Sequence, residues 1–251
     1  AQYRRADAPD YSAGIAQAFV TAKVTNARTV LQRALRDHGD GSGAGSVASA
    51  VDELARVLER LQEPLDLDTV RGAEGDAART YFGVFDHLIV AQKDAFYFHE
   101  RTRRPPLDNV NALLSFVYTL LTHDARAALE AVGLDPQVGF LHRDRPGRPS
   151  LALDLIEEFR PFLADRLVLS LINRRQAQAS GFVRSETGGV TMDDDTRKAV
   201  LVAYQERKNE ELKHPFLGED TTVGMLPHLQ ALMLARLLRD DLDGYPAFIW
   251  R

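Results

Sequence analysis

Apolar residues recur at intervals of three and four along most of this chain, the spacing of one buried face of an amphipathic helix. The pattern begins with Ile15 and Phe19 and continues to Leu31, in a helix predicted from Ser12 to about Asp37. Such spacing is incompatible with a sheet, in which buried residues alternate. A chain patterned in this way is therefore predicted to be mainly α.

Capping residues, apolar spacing and prolines place the remaining elements. They are a helix through Leu54 and Leu61 that Pro64 ends, a helix that Asp68 caps and that carries Tyr81, Phe85 and Leu88, a helix from Asp108 to near Gly133, a helix from Ser150 to about Gln176, and helices at 194–213 and 225–238. Pro161 should kink or split the helix that contains it. Alternating residues around Gly188-Gly189 predict one small β-hairpin at about 182–192. We expect a single mainly α-helical domain over residues 1–251.

Composition excludes several classes of protein. The chain has no cysteine, which removes disulfide frameworks, zinc fingers, iron–sulfur clusters and thiol catalysis and leaves oxygen and imidazole as metal ligands. No apolar run approaches the roughly 20 residues that span a bilayer, so we predict a cytoplasmic protein with no membrane partner. The net charge of −5 provides no general basic field, so any DNA binding must be local.

The residues best suited to chemistry lie between positions 139 and 161. Asp154 and Glu157 are three apart, so both should lie on one helix face, beside apolar residues that favour burial. A buried carboxylate needs a cation or hydrogen bonds. His142, in the preceding loop, can add a neutral nitrogen. Carboxylates and imidazole together favour Mn²⁺ or Mg²⁺.

Glu74 is the most plausible further carboxylate, because Gly72 and Gly75 flank it and suggest close packing or the close approach of a ligand. Ordinary roles remain open for all these residues. Glu74 could be an acid favoured near a helix N-terminus, and His142 could be a loop histidine bound to water or backbone. The carboxylates at 154–158 could form a solvated helix face on which Glu157 pairs with Arg160.

The chain resembles the CRISPR-associated spacer-acquisition integrase family, an endonuclease subunit that inserts new spacers into a CRISPR array. The resemblance rests on blocks in the family's order along nearly the whole chain: AKVTNAR at 22–28, EGDAARTYF at 74–82, RPPLDNVNALLSF at 104–116, GFLH at 139–142, LALDLIEEFRP at 151–161, HPF at 214–216, LQA at 229–231 and YPAFIW at 245–250.

This resemblance implies a metal-dependent DNA endonuclease and integrase whose metal ligands are Glu74, His142 and Glu157. Asp154 falls on a second acidic position that some members need, which implies a catalytic role in orienting water or the attacking hydroxyl. The family also has an N-terminal β-domain that supports dimerisation. Because the chain starts without Met and near the family's second domain, we expect this β-domain to be absent from it, which leaves homodimer formation open.

Two groups of arginines are candidate clamps for DNA phosphates, since guanidinium groups bind phosphate without reading sequence. They are Arg101, Arg103 and Arg104 before one helix, and Arg143, Arg145 and Arg148 beside His142. The expected partner from the arginines is branched or double-stranded DNA. The resemblance implies two protein partners, a small ferredoxin-like CRISPR-associated protein and a nuclease that trims incoming DNA. The alternative function is a non-catalytic helical scaffold that binds DNA and a partner.

Overall fold

The computed structural model describes residues 1–39, 41, 43–143 and 145–250. Within these residues the α-helices are α1 Gln2–Ala6, α2 Pro9–His38, α3 Ala44–Arg60, α4 Leu67–Gly83, α5 Asn109–Ala131, α6 Ser150–Leu155, α7 Arg166–Asn173, α8 Asp194–Lys208 and α9 Leu226–Leu237. The strands are β1 Phe182–Arg184, β2 Val190–Met192, β3 Glu211–Lys213 and β4 Asp220–Thr222. The mainly α prediction is confirmed.

Helices α2, α3 and α4 pack against one another at the N-terminal end of the chain. The apolar face predicted for α2 is buried, with Phe19 and Leu31 fully inaccessible to solvent. The predicted cap of α4 is wrong by two residues. The side chain of Asp66, in extended backbone, accepts hydrogen bonds from the backbone N–H groups of Asp68 and Thr69, whereas Asp68 itself already lies inside the helix.

The central helix α5 begins as predicted, because the Asp108 side chain accepts a hydrogen bond from the backbone N–H of Asn111. It packs against α6 and α9. The prediction that Pro161 interrupts the next helix is also confirmed. Helix α6 tightens into a 3₁₀ turn at Ile156–Glu158, widens into a π-helical segment at Arg160–Asp165 and continues as α7. Since proline offers no N–H, the regular ladder cannot continue through it.

The predicted hairpin is confirmed as β1 paired antiparallel with β2. A second antiparallel pair, β3 with β4, was not predicted. It displaces the end of α8 to Lys208 from the predicted 213, because residues 211–213 pair with β4 across a turn that contains Pro215 and Gly218. Gly218 has a φ of +69°, a conformation that glycine adopts readily.

Buried apolar side chains from Ile15 to Phe248 form one hydrophobic cluster. This cluster supports the expectation of one domain over 1–251, which stays a prediction. Among the described residues, no helix is long and apolar enough to cross a membrane.

Candidate active site

Glu74 and Glu157 meet at a single ammonium group. The Nζ atom of Lys23 on α2 contacts Glu74 Oε1 on α4 and lies 2.6 Å from Glu157 Oε2 in the 3₁₀ turn. The side chains of Lys23, Glu74 and Glu157 are 12%, 29% and 2% exposed. Two carboxylates that are 83 residues apart in sequence are thus held around one cation at a largely desolvated point between three elements.

Glu157 is the more buried of the two carboxylates and has a second cationic partner. Its Oε1 atom lies 3.2 Å from a terminal nitrogen of Arg160, which is the i,i+3 pair that the sequence allowed. Burial opposes ionisation of Glu157, but the charges of Arg160 and Lys23 outweigh it and lower its pKa to about 2. The alternative of a solvated helix face is wrong for Glu157, because it is an ionised side chain inside the protein.

His142 is held by Asp154, whose carboxylate is fully buried. Asp154 accepts backbone hydrogen bonds from Phe140, Leu141 and His142 at 2.6, 3.0 and 2.9 Å. Its Oδ1 atom also lies 2.6 Å from His142 Nδ1. Since a carboxylate only accepts, Nδ1 carries the hydrogen, and the lone pair of the imidazole is at Nε2. Asp154 therefore fixes both the position and the tautomer of His142.

Asp154 and Glu157 do not act on the same neighbours, although they were expected on one helix face. Helix α6 ends at Leu155 and the chain tightens into the 3₁₀ turn, so the two side chains diverge. Asp154 is directed to the loop at 139–142, and Glu157 to Lys23 and Arg160. Gly139 allows this approach, because a Cβ atom there would lie 2.8 Å from Asp154 Oδ2 and 2.9 Å from the backbone of Ser150.

Glu158 faces away from Glu157 and into the core, where it is fully buried. It accepts hydrogen bonds from Gln230 Nε2 at 2.8 Å, from the Tyr245 hydroxyl and from the backbone N–H of Phe248. Burial raises its pKa to about 7 despite these donors. Glu158 thus anchors the segment at 245–250 to the turn that carries Glu157.

A cavity of about 340 Å³ opens beside the two carboxylates. Its walls include Lys23, Glu74 and Arg160 at one end and Tyr118 and Asp165 at the other. The Tyr118 hydroxyl donates to Asp165 at 2.6 Å. Burial raises the pKa of Asp165 to about 6, although this hydrogen bond opposes the shift. The cavity therefore combines aromatic and charged walls directly next to the candidate centre.

The six arginines predicted as clamps have two different environments. Arg101 is tied into the protein, since it donates to Asn111 Oδ1 at 2.7 Å and to Ser115 Oγ at 3.0 Å, and it also lines the cavity. The other five are less enclosed: Arg103, Arg104, Arg143 and Arg145 are exposed and Arg148 is half-buried.

The two arginine groups lie near each other in space. Burial and the positive charges of Arg145, Arg103 and Arg160 lower the pKa of Arg148, whereas the charge of Asp154 opposes this shift. Positive charge from both groups is therefore concentrated on the side of the molecule that carries His142 and Arg160.

The donor set suits a hard divalent cation. Among the described residues, no three His, Asp or Glu side chains lie close enough to hold a metal ion as they stand. Nevertheless Glu74 and Glu157 already converge on one cation, and His142 has a fixed tautomer with Nε2 free of the Asp154 contact. Two carboxylates and one imidazole match the preference of Mn²⁺ or Mg²⁺. The ligand assignment to Glu74, His142 and Glu157 stays a prediction.

Close packing does not explain the glycines that flank Glu74. A Cβ atom at Gly72 or Gly75 would meet no atom within 4 Å, so that part of the expectation is wrong. The absence of side chains instead leaves the surface of α4 next to Glu74 open.

Sequence reasoning assigned no role to Lys23, although its neighbours carry a signal. Ala22 and Val24 are fully buried, so Lys23 is a cation within an otherwise apolar stretch of α2. A charge in that position requires a nearby opposite charge. The sequence could therefore have indicated that Lys23 has an acidic partner, but not which one.

Comparison with known proteins gives consistent matches along the chain. The family described as "CRISPR associated protein Cas1" matches residues 1–206. CRISPR-associated endonuclease Cas1 1 of Chlorobaculum tepidum is 58% identical over 251 residues, which cover all of this chain and 73% of that protein. CRISPR-associated endonuclease Cas1 of Leptospira interrogans is 48% identical over 251 residues, which cover all of this chain and 98% of that protein.

Solved structures share the fold. A casposase bound to integration product has a TM-score of 0.86 and 23% identity, over all of this chain and 71% of the casposase chain. A chain of a Cas6-RT-Cas1–Cas2 complex has a TM-score of 0.83 and 23% identity, over 99% of this chain and 26% of the other.

Proposed function

Because the chain belongs to the CRISPR associated protein Cas1 family, we propose that it is a metal-dependent DNA endonuclease and integrase of CRISPR adaptation. Its relatives are named endonucleases, and the fold is that of a casposase captured with its integration product. The observation that carries the proposal is the convergence of Glu74 and Glu157 on one cation.

The reaction is an exchange of phosphodiester bonds. The 3′-hydroxyl oxygen of incoming DNA forms a bond to a phosphorus atom of the repeat, the bond from that phosphorus to its own O3′ breaks, and a proton moves from the attacking to the leaving oxygen. When water attacks instead, the same exchange cuts the strand. Endonuclease and integrase activities are thus one chemistry with two nucleophiles.

Glu74, His142 and Glu157 would hold Mn²⁺ or Mg²⁺, which would supply a Lewis acid for the phosphate oxygens and the leaving O3′. The protein's own groups provide the geometry. Asp154 holds His142 with Nε2 available, and Arg160 holds Glu157 ionised. Asp154 is therefore proposed as a positioning residue and not as a ligand.

The basic side of the molecule would hold the DNA backbone. Arg145 and Arg103 lie close enough to Arg148 to add to the effect of burial in lowering its pKa, which supports a region of positive potential beside His142. Phosphate contacts of this kind position DNA and release counterions, so binding should weaken steeply with salt and show little sequence preference. Branched or double-stranded DNA is the proposed substrate.

The proposed partners follow from the family. They are a small ferredoxin-like CRISPR-associated protein, a second copy of the chain and a nuclease that trims incoming DNA, in the cytoplasm of a prokaryote. The structural neighbour in a complex with Cas2 is consistent with assembly around a further CRISPR-associated protein.

The test is Mn²⁺-dependent nicking and strand transfer on branched DNA by wild type and by Glu74→Gln, His142→Ala and Glu157→Gln. Asp76→Asn is the matched control, because Asp76 lies two residues after Glu74 on α4 and pairs with Arg60 and Arg79 instead of Lys23. We expect the three site variants to lose at least 100-fold in activity and the control to retain it.

A folded Glu157→Gln protein with wild-type activity would contradict the proposed site. Wild-type protein that binds DNA yet neither cuts nor joins it, with or without the family's partner protein, would favour the non-catalytic scaffold. Thermal unfolding of each variant separates a lost site from a lost fold.

A further inference from the structure

Lys23 is enclosed to a degree that is unusual for an ammonium group. Its side chain is 12% exposed, and its neighbours on α2 are fully buried. Both of its ion-pair partners, Glu74 and Glu157, are the carboxylates proposed to hold the metal. The ammonium therefore lies between the same oxygen atoms that a divalent ion would need.

The four charged side chains of this cluster balance one another in charge. Glu74 and Glu157 contribute two negative charges, and Lys23 and Arg160 contribute two positive charges. A divalent ion added with every side chain in place would leave two uncompensated positive charges at a point where Glu157 is only 2% exposed. Such an excess is costly in a desolvated site.

The cavity next to the cluster offers the lysine another position. Lys23 and Glu74 form part of its wall, and its volume of about 340 Å³ exceeds that of a lysine side chain. Arg160 has no comparable freedom, because it packs with its guanidinium group 4.8 Å from the ring centre of Tyr118 as well as pairing with Glu157. Lys23 is thus the cation that can leave.

We propose that Lys23 is a built-in counter-cation that competes with the divalent ion for Glu74 and Glu157, so that metal binding releases its ammonium group into the adjoining cavity. This inference rests on the proposed function. It makes Lys23 a positioning residue that keeps the two carboxylates together before metal arrives and raises the metal concentration needed to fill the site.

The first test measures Mn²⁺ affinity of metal-free protein by calorimetry for wild type and Lys23→Met. We expect Lys23→Met to bind Mn²⁺ at least tenfold more tightly, because the competing cation is gone. Lys208→Met is the matched control, since Lys208 is also a partly buried ion-paired lysine, 2.8 Å from Asp124, and it should change the affinity less than twofold. Equal or weaker binding by Lys23→Met would overturn the proposal, because a lysine that only supports the site would lower or preserve affinity when removed.

The second test uses unaltered protein and therefore does not depend on how the variant folds. Reductive methylation of lysine amines, mapped by peptide mass spectrometry, reports how available each amine is. We expect saturating Mg²⁺ to raise the methylation rate of Lys23 at least fivefold and to leave that of Lys208 unchanged. A rate at Lys23 that Mg²⁺ does not change would show that the ammonium stays between the carboxylates, and would overturn the proposal.

A further pair of measurements separates this proposal from the function on which it rests. Wild-type Mn²⁺ binding that Glu157→Gln and Glu74→Gln leave intact would refute the metal site, and the Lys23 proposal with it. Binding that both substitutions abolish, together with unchanged affinity in Lys23→Met, would refute only the role of Lys23.

Discussion

Replacement of Asp154 by Asn tests whether this residue acts through His142. The carboxylate accepts two backbone hydrogen bonds at Oδ2 and one at Oδ1, where it also meets His142 Nδ1. An amide can keep its oxygen at the Oδ2 position. Its NH₂ group then takes the place of Oδ1 and faces the backbone N–H and the Nδ1–H of His142. Two buried donors lose their acceptor, at about 1–3 kcal/mol each.

We therefore expect Asp154→Asn to lower the free energy of unfolding of metal-free protein by about 4 kcal/mol, or about 12 °C in melting temperature for a chain of this size. The amide also favours the wrong tautomer of His142, because its NH₂ group donates to Nδ1 and places the hydrogen on Nε2. Loss of an outer partner of this kind lowers metal affinity about 10- to 100-fold.

A double-mutant cycle tests whether Asp154 affects metal affinity only through His142. If Asp154 acts only through His142, the variant that combines Asp154→Asn with His142→Ala should bind Mn²⁺ no more weakly than His142→Ala alone. Calorimetry at a temperature where all four proteins are folded provides the affinities. Additive losses would show that Asp154 contacts the metal directly, and would overturn its assignment as a positioning residue.

Three other outcomes are expected. Burial raises the pKa of Asp165 to about 6, from about 3.8 in the unfolded chain. Between these two pH values the Asp165 carboxyl is protonated in the folded protein and ionised in the unfolded protein. The free energy of unfolding of wild type should thus fall by up to about 3 kcal/mol more than that of Asp165→Asn as pH rises from about 4 to about 7, in urea titrations. Arg103→Ala and Arg145→Ala should each weaken DNA binding and reduce the slope of log affinity against log salt by about 1, and unchanged slopes would remove both from the interface. Asn26→Ala should cost about 3 kcal/mol in unfolding free energy, because Asn26 donates to the carbonyls of Glu158 and Phe248 and accepts from the N–H of Trp250; a loss below 1 kcal/mol would show that the segment at 245–250 docks without it.

The elements with strong local signals were predictable from sequence. Apolar spacing gave α2, the side chain of Asp108 gave the start of α5, and Pro161 gave the interruption after α6. Local rules failed where two candidates compete within one turn, as with Asp66 and Asp68. They also failed for β3 and β4, because strands of three residues show little alternation and no pair of glycines marks their turn as Gly188-Gly189 marks that of β1 and β2.

The candidate site was predictable only in part, because its contacts join distant positions. Spacing alone could pair Asp154 with Glu157, and the structure separates them, since a 3₁₀ turn rotates the chain more per residue than an α-helix does. Residue chemistry singled out His142, Glu74 and the acids at 154–157 as candidates, and the family resemblance selected Glu74, His142 and Glu157 as the ligand set, which stays a prediction. The role of Lys23 was not predicted, because the sequence of α2 alone does not show that Glu74 and Glu157 contact it.

The docking of the segment at 245–250 has a consequence for the order in which the protein forms. Asn26 and the turn at Glu158 are bridged by Phe248 and Trp250, contacts that span 222 and 224 residues of sequence. Loops of that length close late, and during synthesis the earlier helices leave the ribosome first. The turn carrying Glu157 therefore gains its final support only after residue 250 has been made. We expect a nascent chain that ends before residue 245 to have a less rigid turn at Glu157, because it lacks the donors that hold Glu158.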